Sequence, residues 1–157
     1  MTEPERIAAL AESVYHDGGW IEVSLRDLFQ SLTAAEAAAH PIAGAHSAWE
    51  IALHLAAWHE AVRRRIGGEA VELSDAEDWP APAAATETNW QAALKELEET
   101  YAALVNAIRI LQAKKLDETV PGRPFSFYVM LHGVMQHDLY HSGQVMMLRK
   151  ALRAAAS

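Results

Sequence analysis

No cysteine occurs among the 157 residues. That removes disulfides, thiolate metal sites and a cysteine nucleophile, so any metal would have to be held by nitrogen or oxygen. Apolar runs of about 18 residues are also missing, and with them a transmembrane helix. The opening Met1-Thr2-Glu3-Pro4-Glu5-Arg6 is acidic where a signal peptide would be apolar, so the cytoplasm is the expected location. Basic residues are few, 13 Lys and Arg against 21 Asp and Glu, for a formal net charge of −8. With no sustained basic stripe, neither nucleic acid nor an anionic membrane is an expected partner. The single basic cluster, Arg63-Arg64-Arg65, reads as a solvated helix C-terminus where cations suit the dipole. Alternating apolar patterns are lacking too, and no strand is expected.

What the sequence does contain is ordinary globular composition, 51% hydrophobic and 22% charged, over a length that suits one domain spanning residues 1–157. Helical periodicity dominates it. A first helix is expected from Pro4 to His16, stopped by Asp17-Gly18-Gly19. Ser24 caps a short helix through Leu28 and Phe29, and Thr33 with Glu36 forms a capping box for another, ended by Pro41 and Gly44. A second capping box, Ser47 with Glu50, opens a long helix that runs to Gly67-Gly68. Residues 69 to 87 are rich in Pro, Ala and Asp and lack periodicity; a connection this long is expected to lid the functional site. The cleanest helix runs from Thr88 to Gln112, and the last from Ser126 to Leu152. Four long amphipathic helices, with short extra ones after the first, predict an all-α four-helix bundle whose interior sites come from facing helices.

The last helix carries His137-Asp138-Leu139-Tyr140-His141-Ser142-Gly143-Gln144. Residues four apart share a helical face, so His137 and His141 can offer two imidazoles to one point. They also continue the apolar stripe Phe127, Met130, Leu131, Val134, Val145 and Leu148, which places them at core positions. Buried imidazoles need partners, since an unpaired buried polar group costs about 1–3 kcal/mol. A divalent metal is one partner; tyrosine, backbone or water is another. His54 falls on the apolar stripe of the second long helix beside Ile51, Leu55 and Trp58, whereas His46 and His59 point elsewhere. Three imidazoles on one side of an ion leave positions open for water and substrate, as catalytic sites do.

Several of these stretches resemble the DinB/YfiT-like superfamily: Gly19-Trp20, the run Pro41 to Glu50 leading into His54, Trp58, the Trp90 helix, and the closing His132 to Gln144 with its HxxxHxGQ pattern. The resemblance implies a four-helix bundle, often a homodimer, with a metal on one histidine of the second long helix and two of the last, here His54, His137 and His141. It also implies a metal-dependent hydrolase or a transferase using a low-molecular-weight thiol, with zinc or nickel as the first choice of cofactor and manganese or iron after them.

Other residues near this set carry both a functional and a plain structural reading. Glu50, one turn before His54, could accept its second ring proton, though the capping box already explains it. Tyr140 and Gln144 could each orient an imidazole or a ligand, or could simply pack or face water. Gly133, one turn before His137, could leave space above a metal or let helices approach; Trp58 could wall a pocket or fill core. Asp138 invites comparison with a metalloprotease glutamate, but its short side chain reads better as a solvent-facing helix residue. The functional expectation is an enzyme whose ion activates water or a small thiol for attack on a small molecule. Its rivals are a non-catalytic stress-response or binding protein that uses the metal to hold helices together, and a metal-free helical interaction protein.

Overall fold

The computed structural model describes residues 1–21 and 23–155. Seven α-helices follow in order: α1 Glu3–His16, α2 Leu25–Gln30, α3 Ala34–Ala38, α4 Ala48–Ile66, α5 Asp75–Asp78, α6 Glu87–Arg109 and α7 Phe127–Ala155. Among the described residues there is no strand, only an isolated antiparallel bridge between Thr119 and Ser126. No helix is long and apolar enough to cross a membrane.

Local sequence sets the helix ends. At α4, the Ser47 hydroxyl accepts from the Glu50 N–H at 3.2 Å while the Glu50 carboxylate accepts from the Ser47 N–H at 2.6 Å, satisfying two orphan donors reciprocally. The same device opens α1, with Thr2 and Glu5, and α3, with Thr33 and Glu36. Gly18, at φ 81°, supplies the left-handed turn that ends α1 beyond Asp17. Boundaries drift where such signals are weak: α6 stops at Arg109 rather than Gln112, and α7 runs on to Ala155 rather than Leu152.

The four long helices α1, α4, α6 and α7 form the bundle. Helix α6 packs on α1 and α4, and α7 packs on α4 and α1 from the other side. Trp49, Trp90 and Phe29 meet in the core, with the Trp49 and Trp90 rings 5.1 Å apart, and the buried Trp90 indole N–H donates to the Leu32 carbonyl at 2.9 Å. Tyr101 ties α6 to α1 by donating to the Ala11 carbonyl at 2.7 Å and stacking on Tyr15 at 4.5 Å. Helix α2 packs across α7 and α1.

Two expectations are corrected here. Arg65 is not a solvated terminal cation: it is 2% exposed, and its Nε–H and Nη2–H both donate to the Val71 carbonyl. The chain after α4 folds back over that helix end, so one of three adjacent arginines is covered, while Arg63 and Arg64 pair with Glu60 and Glu69 near the surface. Asp138 is not solvent-facing either, at 1% exposure. It lies one turn beyond Val134 and two beyond Leu131, both core residues, so the spacing that turns Val134 inward turns Asp138 inward as well.

Candidate metal centre

Helix α4 brings His54, and α7 brings His137 and His141, to one point between the helices. Their candidate ligand atoms all lie within 4.8 Å of one another. His137 is the middle member: its Nε2 is 3.0 Å from His54 Nε2 and 3.1 Å from His141 Nε2.

The outer ring nitrogens decide what the inner ones can do. His54 Nδ1–H donates to the Asp78 carbonyl at 2.7 Å, with the Asp78 carboxylate 3.1 Å away, and His141 Nδ1–H donates to Gln144 Oε1 at 2.7 Å. In a neutral imidazole only one nitrogen carries hydrogen, so both Nε2 atoms are left as bare acceptors facing His137. His137 can give a proton to one of them at most, and its own Nδ1 is buried with no partner. The nitrogen lone pairs therefore outnumber the protons, an arrangement that a divalent cation satisfies because it accepts all three. Zn–N bonds of about 2.0–2.1 Å set tetrahedral ligands roughly 3.3–3.4 Å apart; the two pairs with His137 are a few tenths of an ångström closer and the full spread reaches 4.8 Å, so the rings close on the ion by small rotations. The residues fit the ion.

Burial keeps these rings neutral, the form that ligates. It lowers the His137 pKa most, and the neighbouring His141, His54 and His59 lower it further, to about 3. Burial also lowers His54, against the opposing pull of Asp78, and lowers His141, against that of Gln144. A histidine depressed in the fold protonates first in the unfolded chain, so its contribution to stability is complete above about 6.5 and declines as pH falls towards the folded value. Urea midpoints of the metal-free protein should thus fall between pH 7 and pH 5, above the range where the capping glutamates titrate, and the fall should shrink in His137→Phe. A flat midpoint over that interval would contradict the burial argument.

The connection between α4 and α6 reaches the site. Short helix α5 sets Asp78 against His54, the Trp58 indole N–H donates to the Asp78 carboxylate at 2.6 Å, and the Trp79 ring stacks on His54 at 3.9 Å and 9°. His46 lies parallel to the same indole at 3.6 Å. Neither Asp78 nor Trp79 emerged from the sequence as a site residue. The available signal was a tryptophan in an otherwise Pro- and Ala-rich stretch, a large apolar ring that water would not hold.

The remaining candidates separate cleanly. Gln144 is the His141 partner. Glu50 is not that of His54: its carboxylate accepts from Ser47 and lies 3.0 Å from His40 Nε2. Tyr140 is 64% exposed, its ring edge-on to His141 with centroids 5.0 Å apart and its hydroxyl unbonded among the described residues. Gly133 and Trp58 line, with His137, a largely apolar cavity of about 270 Å³. A Cβ added at Gly133 would meet nothing within 4 Å, so the glycine does not serve close helix packing. A histidine outside the triad, His59, was missed: whereas His137 is half-buried, His59 is wholly enclosed, with Nε2 2.8 Å from Asp138 Oδ1 and its ring edge-on to Tyr101.

An all-α bundle with three histidines gathered between two helices defines a protein whose interior can hold a metal ion. The family model described as the DinB superfamily matches residues 21–145, and the chain belongs to that superfamily. Gly19-Trp20 falls just outside the match. No curated protein and no solved structure matches the chain.

Proposed function

We propose that this protein is a metal-dependent enzyme acting on a small molecule, either a hydrolase or a transferase that uses a low-molecular-weight thiol. The observation that carries this reading is the position of His137: it is at once the central nitrogen of the triad and part of the wall of the apolar cavity. A site meant only to tie helices together has no need of such an opening. A divalent ion held by His54, His137 and His141 supplies Lewis acidity and makes a water or thiol acidic enough to ionise near neutral pH. Asp78 and Gln144 hold two of the imidazoles in the ligating tautomer and orientation. Trp58 and Trp79 shield the triad, and Trp58 with Gly133 shapes the space a substrate would enter. Three neutral imidazoles suit zinc, nickel and iron, and zinc and nickel are the first choices; manganese, which prefers oxygen donors, comes last.

The test is turnover by zinc-, nickel- and manganese-loaded protein on a panel of esters and amides, and of electrophiles offered with small thiols. The reading expects activity that His54→Ala removes. Loaded protein inert across the panel would favour the rival in which the ion only joins α4 to α7. A homodimer and a cytoplasmic location belong to the same proposal, and sedimentation velocity distinguishes dimer from monomer.

A further inference from the structure

The cavity beside His137 is apolar apart from His137 itself and Arg65. Val62, Phe125, Val129, Met130 and Val134 form its sides, and Arg65 lines it too. A guanidinium so deeply buried ordinarily sits against a carboxylate, because a buried charge is costly unless paired. Among the described residues no carboxylate lies within ion-pair distance of Arg65. Its protein partners are the Val71 carbonyl and the face of Trp58, 5.4 Å from the guanidinium carbon. Two of its five N–H donors are used at Val71; of the three that remain, one on Nη1 and one on Nη2 form the fork that receives a carboxylate in bidentate fashion.

A second cation makes the excess larger. Arg123 Nη2–H donates to the same Val71 carbonyl at 3.1 Å, and the acid facing it, Glu72, is 3.9 Å away with an 86% exposed side chain. Burial and then Arg123 work against the charge on Arg65, with the more distant Glu72 opposing them. In a chain of net charge −8, two guanidinium groups thus converge on one carbonyl, and one of them lines an apolar cavity.

We propose that this cavity binds a small apolar monocarboxylate, with its anion on the free N–H edge of Arg65 and its apolar body between Arg65 and His137. The volume, about 270 Å³, lies below the range of about 300–1,000 Å³ that holds drug-sized ligands, so the molecule is small. His137 joins the same cavity to the triad; what happens there rests on the metal-dependent reading above, whereas binding itself does not.

The test compares butanoate, hexanoate and benzoate with butanamide, hexanamide and benzamide, read by calorimetry and by Trp58-sensitive fluorescence, on chelator-treated and zinc-loaded protein. Each acid should bind metal-free protein at least about tenfold more tightly than its amide. Arg65→Met, checked for folding by its melting curve, should erase that preference. Gly133→Leu, which keeps Arg65 but fills the cavity, should lose both ligands. Three results would each overturn the proposal: equal binding of acid and amide, no binding at millimolar concentration, or carboxylate binding that survives Gly133→Leu. Carboxylate binding seen only with zinc and surviving Arg65→Met would also overturn it, by placing the anion on the metal. Should zinc fail to bind while the Arg65-dependent preference persists, the metal reading falls and this one stands.

Discussion

Chelator-treated protein reloaded with zinc or nickel is expected to take up a stoichiometric amount of metal and His137→Ala none. His137 has the largest effect because it alone lies close to both other ligands, at 3.0 Å from His54 and 3.1 Å from His141. Without it only two imidazoles remain, on different helices and without the nitrogen that stands between them, too few to hold the ion through chelator treatment. The loss should also be visible as stability. An ion that binds only the folded state, at about a thousand times its Kd, stabilises by about 4 kcal/mol, or roughly 8–16 °C for a chain of this size. The wild type should show that rise on metal addition, and the variant should melt at the same temperature with or without metal. Gln144→Leu should fall between, with affinity about 10–100-fold weaker, because the His141 ring loses the acceptor that fixes its tautomer. If the wild type takes up no zinc, nickel or manganese and its melting ignores chelators, the three histidines are hydrogen-bonded core residues and the metal-free reading is correct.

Much of this site was legible because it obeys simple periodicity. His54, His137 and His141 all lie on apolar stripes, and each capping box that the sequence offered at Thr33 and Ser47 forms in the fold. The parts that stayed hidden depend on chain segments meeting across long separations. Asp78 and Trp79 sit in a connection without periodicity; its length suggests a lid, but nothing local says which of its residues meet a histidine 24 residues earlier. Arg65 was misread for the same reason, since its cover comes from Val71 after the chain has turned. Asp138 and His59 were hidden by polarity. A rule that assigns charged residues to solvent gives the wrong face when a charged residue has a buried partner, and that partner lies 79 residues away.

That buried pair supports the second large expectation, a loss of about 3 kcal/mol or more in Asp138→Ala. His59 Nε2 has Asp138 Oδ1 as its partner, and His59 Nδ1 already lacks one; after the substitution both ring nitrogens stand unpaired in a fully enclosed position. For a chain of this length the melting temperature should fall by roughly 6–12 °C. His59→Leu strands the carboxylate instead, with Oδ2 already unpartnered, and should be at least as costly. Removing both polar groups together is different in kind. In His59→Leu/Asp138→Ala neither position leaves a buried polar side-chain atom without a partner, so most of the loss should be recovered, and the cycle should show a coupling well above the few tenths of a kcal/mol expected of independent sites. Additive losses would mean that each residue matters only for its packing. Metal uptake by the double variant then separates two roles for Asp138, which precedes Leu139 on the helical turn that carries His137 and His141. Unchanged uptake confines the pair to holding α4 against α7. Weakened uptake with stability restored means that the pair sets the angle at which α7 presents its histidines.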